Sequence, residues 1–430
     1  MTDLSTPNLK LKINLKAKIG IKKPIAISLF SGAGGDTVGL TDAGYDVKYF
    51  SEFDSNAIET HKVNHPNSTL IAQNIPNGIK NMTDITSISN DTFTNMIKDP
   101  IELIFAGFPC QGFSNAGKKK ENDPRNELVH QFVRVVDLFK PKWIIGENVR
   151  GLLSRKGTCP ITGNKIPVIE IIEKLFNNIG YTITYNVINA TDVGVPQLRK
   201  RLIIVGHRGS LYPNILWKNN DIGHKTMNGN FGIRHMLLPT LQGAIKALKY
   251  ENENISNNIT NDDSYWIKTT ETECSGVPHP NLVRLNNGIR NLSTIEKKLP
   301  ENLGKTHTIE PSLISFGKRK SAHHGEIVNP DQPCKTIICT YGTCPRLFVG
   351  LVDPTGQKWI RCLLPCELSQ IQGFPADYRF VGNPSSVIKQ IGNAVPPQIV
   401  KHICKQFNNP NSLSKDLDTT LITHDNNDDD

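Results

Sequence analysis

Between residues 25 and 207, short apolar runs alternate with stretches whose apolar side chains recur every three or four positions. IAISLF is followed by TVGLTDAG, VKYF by SNAIETHKVN, and IELIFAG by a segment with Leu128, Phe132, Val135, Val136 and Phe139 on one helical face. WIIGE precedes a helix carrying Val168, Ile169, Ile172, Leu175 and Phe176, and YTITYNVI and RLIIVG close the series. Short unbroken apolar runs suit strands covered on both faces, and the longer period suits the helices that cover them. The alternation predicts an α/β fold with a doubly wound, mostly parallel sheet of the Rossmann-like kind.

From residue 208 the rhythm fails. Up to about residue 345 the chain is rich in Asn, Gly, Thr and Pro, with apolar islands such as IKALKY and CKTIICTYG. This predicts a smaller, loop-rich second domain, assigned to residues 208–360 beside a first domain of residues 25–207. Residues 361–405 return to helical pattern and Pro-bounded turns (LLPCELSQIQGFP, QIGNAVPPQIVKHI) and are expected to bridge back to the first domain. The lysine-rich residues 1–24 and the acidic residues 406–430 are expected to be mobile.

The 430 residues are 37% hydrophobic and 21% charged, which excludes a disordered, collagenous or coiled-coil chain. No apolar run is long enough to span a membrane. Lys10, Lys12, Lys16, Lys18, Lys22 and Lys23 are not followed by the apolar run and cleavage site of an export signal, so a soluble intracellular protein is expected. The net charge of +9, reached despite a DNNDDD terminus, makes a polyanionic partner plausible. Nine cysteines without paired C-x-x-C spacing argue for free thiols in a reducing compartment. Cys334, Cys339, Cys344, Cys362 and Cys366 match no common zinc spacing, and no metal is expected.

Several segments carry chemistry. Phe30-Ser31-Gly32-Ala33-Gly34-Gly35 ends the first strand run. It is either a tight strand-to-helix turn or a place where a ligand approaches the backbone closely, and it is not the G-x-G-x-x-G of a pyrophosphate site. Twenty residues past Gly32, Glu52 ends the second strand, where a carboxylate can accept hydrogen bonds from a ribose diol. Gly107-Phe108-Pro109-Cys110-Gln111 follows a third strand, in a loop running through Ser114 and Lys118-Lys119-Lys120. Those lysines would either favour a thiolate at Cys110 or form a solvated face. Glu147 closes WIIGE at the same sheet edge. In Gln197-Leu198-Arg199-Lys200-Arg201, strand period two would point Arg199 and Arg201 to one side, as a surface ion-pair cluster or as a clamp on a carboxylate or base.

FSGAGG, GFPCQGFS, ENV, QLRKR, RCLLPCELSQIQGFP and QIGNAVP occur in an order and spacing that resemble the DNA (cytosine-5-)-methyltransferase family over about residues 25–207 and 361–400. The resemblance implies S-adenosylmethionine at the carboxyl edge of the larger domain, with a cytosine flipped out of duplex DNA beside it. By position it implies that Cys110 adds to ring carbon 6, that Glu147 binds and protonates ring nitrogen 3, and that Arg199 and Arg201 hold the base and the loop. Gln111, Ser114 and Gln197 would contact the substrate. Phe30, Gly32 and Gly34 would meet the methionine end of the cofactor, Glu52 its ribose, and Asp84 with Ile85 its adenine, with Pro109, Leu128 and Asn393 completing the site. Asn74-Ile75 competes for the adenine position, because the stretch from Thr69 to Ile85 is longer than the family pattern.

The chemistry agrees with the assignment, because carbon 5 of cytosine becomes nucleophilic only after a thiolate adds at carbon 6. Cys366 stands where the family usually has Arg before a Glu, a departure at the domain junction. The same catalytic domain serves tRNA methyltransferases, whose usual Cys-Phe-Thr tripeptide is missing here, and a dead DNA-binding regulator would not need the intact Cys110, Glu147, Arg199 and Arg201. The 208–360 region would then be a target-recognition domain. In it Tyr341 to Arg346 either presents Thr343 and Arg346 to base edges or forms a turn. Double-stranded DNA is the implied partner of a monomer acting in the cytoplasm, or in the nucleus of a eukaryotic host. A cognate restriction endonuclease encoded elsewhere would fit this reading.

Overall fold

The computed structural model describes residues 22–73, 82–109, 128–159, 163–218, 232–233, 236, 267–269, 274–275, 282–285, 326–328, 332–341, 347–352 and 358–416. Its centre is a seven-stranded sheet built from β1 (Ile25–Leu29), β2 (Asp46–Ser51), β3 (Thr69–Leu70), β4 (Leu103–Ala106), β5 (Trp143–Val149), β6 (Tyr181–Asn189) and β7 (Lys200–Arg208). Their order across the sheet is β3-β2-β1-β4-β5-β7-β6. The first five are parallel, and β7 lies antiparallel between β5 and β6. The order turns back between β1 and β4, which opens a crevice at the carboxyl ends of these strands.

Alternation within each strand supplies two cores. Ile25, Ile27, Leu29, Ile104 and Ile144 face one side, with Phe132 and Val136 of α4 (Leu128–Phe139) and Ile169, Ile172 and Phe176 of α5 (Val168–Asn178). Ala26, Leu103, Phe105, Trp143 and Ile145 face the other, with Leu40 of α1 (Gly35–Asp42) and Ile399, Val400 and Ile403 of α8 (Pro397–Cys404). Each such buried side chain contributes roughly 1.5 to 3 kcal/mol, which is why the strands read as continuous apolar runs. Helix α2 (Ser55–Asn64) begins where Asp54 accepts the amides of Asn56 and Ala57, a side-chain cap at the end of the loop after β2. The short α3 (Asn90–Met96) is capped likewise by Ser89.

A third core lies in a smaller lobe. Leu368 and Ile371 of α6 (Pro365–Gln372) and Val387, Ile388 and Ile391 of α7 (Pro384–Asn393) pack with Val328, Ile337, Tyr341, Leu347, Leu363 and Leu364. The lobe includes a mainly antiparallel sheet in which Leu347–Val352 pairs with Lys358–Cys362, Leu282–Leu285 and Glu326–Ile327. The boundary expected at 360 therefore falls inside a strand, because nothing in KWIRC breaks the chain before Pro365.

The tail also departs from expectation. Although mobility is expected from residue 406, Phe407 stacks on Trp143 with ring centroids 4.2 Å apart, and Leu413–Ser414 pairs with Tyr212–Pro213. An aromatic stack and a short strand pair together hold a polar segment whose pattern carries no period. Among the described residues no helix is long and apolar enough to cross a membrane.

Candidate active site

The chain leaves β1 through a left-handed turn: φ is 55° at Phe30, 52° at Gly32 and 86° at Gly34. A side chain at Gly34 would be strained by that φ and would place its Cβ 2.9 Å from the Tyr378 hydroxyl. Around Gly32 the situation is opposite, since, its chain neighbours aside, no atom of the described residues lies within 4 Å of where a Cβ would stand. The loop keeps that face of its backbone open. Gly34 is the N-cap of α1 and, being glycine, offers no side-chain acceptor to the first-turn amides of that helix.

Glu52 fastens this loop to the end of β2. One carboxylate oxygen accepts the Gly32 amide at 2.8 Å, and the other accepts the amides of Phe53 and Asp54, each at 2.8 Å. Burial raises its pKa while the amides pull it down. Beside it Phe53 is 70% exposed, a large apolar ring held out at the sheet edge. Farther along, Gln73 and Met82 form an isolated antiparallel bridge. Asp84 then caps a short turn by accepting the Thr86 amide at 2.9 Å, with Ile85 buried behind it. Asn74 and Ile75 lie outside the described residues.

The other half of the site lies across the crevice. Glu147, on β5, is nearly buried, and its Oε1 meets the Arg201 Nε at 2.9 Å. Burial pushes the Glu147 carboxyl upward, opposed by the positive charges of Arg201 and Arg199. The Glu147 Oε2 and the Phe30 carbonyl both lie 3.8 Å from where a Cβ on Gly107 would stand, so the acid, the loop after β4 and the glycine loop converge. Asn148 donates to the Phe108 carbonyl at 2.9 Å and fixes the path of the chain to the half-buried Pro109. The next residue is Cys110, which with Gln111 and Ser114 lies outside the described residues.

The profile of the C-5 cytosine-specific DNA methylase family matches residues 25–409. The chain belongs to this family. It is 39% identical over 432 residues to the type II methyltransferase M.XorII of Xanthomonas oryzae, covering 93% of this chain and 90% of that protein. It is 38% identical to M.DdeI of Desulfomicrobium norvegicum, covering 89% and 88%. Among solved structures, the S. pombe Dnmt2 methyltransferase superposes with a TM-score of 0.53 at 16% identity, covering 88% of this chain and 96% of that one. The Entamoeba histolytica methyltransferase EhMeth gives 0.53 at 16% identity over 89% and 96%, a likeness of fold. The protein is a DNA (cytosine-5-)-methyltransferase that uses S-adenosylmethionine.

In this methyltransferase the QLRKR segment does not present its residues as its spacing suggests. Gln197–Leu198 pairs with Cys334–Lys335 of the smaller lobe, whereas β7 pairs within the central sheet, so Arg199 sits at the change of partner. Its guanidinium, fully buried, donates to the carbonyls of Ile337 at 3.0 Å, Gly392 at 2.8 Å and Ala394 at 3.0 Å. Gln197 is equally enclosed: it donates to Gln372 at 2.7 Å and accepts the Ile337 amide at 3.0 Å. Gln197 and Arg199 thus form a joint between the lobes, their polar atoms bonded to three carbonyls, one amide and the Gln372 side chain. Asn393, between two of those carbonyls, is exposed at the end of α7, and Leu128 opens α4 half-buried.

Three residues at the site went unread in the sequence. Phe53 has a signal, an aromatic residue directly after the carboxylate that ends β2. Asp36 is wholly buried at the start of α1, accepts the Ser28 hydroxyl, and is raised by burial to about 7. Tyr378 reaches the glycine loop from the C-terminal segment. Neither has a local sequence signal. Among the described residues no group of three or more His, Cys, Asp or Glu side chains is placed to hold a metal ion.

Proposed function

We propose that this chain is the modification methyltransferase of a type II restriction-modification system, acting on a cytosine within one specific duplex sequence. The observation that carries the residue assignment is the Glu147–Arg201 pair, converging with the glycine loop and with the strand end that leads into Cys110. In this reading the target base leaves the stack and enters the crevice, where Arg201 orients Glu147 against its Watson–Crick edge. The Cys110 sulfur adds to ring carbon 6 while Glu147 delivers a proton to ring nitrogen 3, so that the ring electrons move toward carbon 5. As carbon 5 is methylated, ring nitrogen 3 returns its proton to Glu147; carbon 5 then gives up its own proton to solvent, the double bond between carbons 5 and 6 re-forms, and the Cys110 sulfur leaves with the electron pair of its bond to carbon 6. Arg199 and Gln197 hold the lobes in register around that base, with Gln111 and Ser114 on the substrate side.

The residues present fit the cofactor. The backbone around Gly32 is open, Glu52 stands at the edge with two backbone-fixed oxygens suited to a ribose, and Phe53 offers an exposed ring to an adenine face. Phe30 and Gly34 would shape the methionine end, Asp84 and Ile85 the adenine end, and Pro109, Leu128 and Asn393 the closing walls. When bound, S-adenosylmethionine supplies an electrophilic methyl group. Residues 208–360 would choose the sequence, and a cognate endonuclease would cut DNA left unmethylated. The bacterial sources of the relatives support action in the cytoplasm.

The test is trapping on DNA whose target cytosine carries fluorine at carbon 5. The wild type should form a denaturation-resistant adduct, because fluorine cannot leave as a proton does, and Cys110→Ser should form none. An adduct that persists in the variant removes Cys110 from the mechanism.

A further inference from the structure

The segment between α6 and α7 belongs to the smaller lobe, yet its aromatic residues end against the glycine loop. Phe374 packs on Ala33, and the Tyr378 ring lies 4.7 Å from Phe374 and 5.3 Å from Phe380. The Tyr378 hydroxyl donates to the Ala33 carbonyl. It also contacts the His65 Nε2 at 3.2 Å. A phenol has one proton, and here it is given to Ala33, so the His65 contact requires a hydrogen on Nε2 that donates to the phenol oxygen. The hydroxyl is thereby aimed from both sides.

We propose that Tyr378 is a positioning residue for the cofactor loop: its hydroxyl, reaching over from the smaller lobe, fixes the Ala33 carbonyl and with it the left-handed turn at Gly34. The space a Gly34 side chain would need is filled by the Tyr378 oxygen at 2.9 Å, His61 at 3.0 Å and His65 at 3.2 Å, so the turn is enclosed on that side. His61 is itself fixed, stacked on Phe50 at 3.8 Å and bonded to Thr37 at 3.0 Å. Burial keeps the phenol protonated and His65 neutral, as the donor arrangement requires. The backbone around Tyr378 has separate anchors. Asn64 of α2 donates to the Arg379 carbonyl at 2.7 Å and accepts its amide at 3.0 Å, and Thr60 accepts the Val381 amide at 2.8 Å. Removing the hydroxyl therefore leaves the ring in place and frees only the loop.

The inference rests on reading this loop as the cofactor site. In the full chain, Tyr378→Phe should bind S-adenosylmethionine about threefold to tenfold more weakly by calorimetry, the scale of one hydrogen bond. Turnover at saturating cofactor and KM for DNA should stay at wild-type values. Unchanged cofactor affinity, or a loss shared equally by turnover, DNA affinity and thermal stability, overturns it. Glu52→Ala is the companion measurement. If that variant also binds the cofactor normally, the cofactor-site reading fails as a whole, whereas a weakened Glu52→Ala beside a normal Tyr378→Phe defeats the brace alone.

Discussion

Arg199 and Arg201 stand two residues apart and have the same side chain, but they work in different surroundings. Arg201 meets a carboxylate at the crevice wall, where its charge is matched and its side chain keeps some exposure. Arg199 is enclosed among three backbone carbonyls, with its Nε left without a partner, and burial works against its charge. The difference separates two uses of a guanidinium. A planar fork with five donors bonds the carbonyls of Ile337, Gly392 and Ala394 through two separate nitrogens in a fixed plane, where a lysine would offer a single point. Beside Glu147 the same fork sets the position and protonation of an acid.

If that division is right, the two sites should fail in different ways. Arg199→Ala is the larger disruption, since it orphans three buried carbonyls at about 1 to 3 kcal/mol each and leaves a cavity. Urea unfolding should show a loss of roughly 3 to 5 kcal/mol, with activity falling only as far as folded protein is lost. A stable but inactive Arg199→Ala would return this residue to the chemistry. Glu147→Gln should do the reverse: turnover drops at least ~100-fold, the usual scale for a lost general acid, while fold and DNA affinity persist because the amide oxygen still accepts from Arg201. Turnover within tenfold of wild type would take the pair out of the mechanism.

A third variant sharpens the comparison through Asp36, whose buried carboxyl feels the charge of Glu147. Its pKa in the fold is raised from 3.8 to about 7, so the fold favours the protonated form. That contribution is complete below the ordinary carboxylate range and is lost as pH rises toward 7. Asp36→Asn should therefore be more stable than wild type at pH 8, with the gain shrinking toward pH 4, as read from paired urea titrations. A difference that does not change with pH would mean that Asp36 is ionised in the fold throughout.

How far the sequence was legible follows from the same contrast. The main strands and the helices that cover them were readable because both sheet faces are buried, so IAISLF and WIIGE are unbroken apolar runs and α4 keeps its period. The glycine loop and Glu52 were readable because turn and carboxylate stand at strand ends. The split between Arg199 and Arg201 was not. Period two assumes one continuous strand, and nothing in QLRKR announces that Gln197–Leu198 pairs with Cys334–Lys335 before β7 joins the central sheet. The ordering of residues 406–416 was hidden for a similar reason, since it depends on Phe407 finding Trp143 far away in the chain.

One reversed strand has a consequence for how such a protein changes its target. Because β7 runs against β5, Arg201 lies opposite Val149 at the reactive edge, and His207 lies opposite Trp143 at the far edge. Seven residues of strand cover about 23 Å. The chain therefore leaves the sheet at the edge remote from Arg201, and Cys334–Lys335 is joined to Gln197–Leu198 next to the start of that same strand. A change just past Arg208 strikes the sheet a strand's length away from Arg201, so a lineage that alters the chain there leaves the Glu147–Arg201 pair to the last.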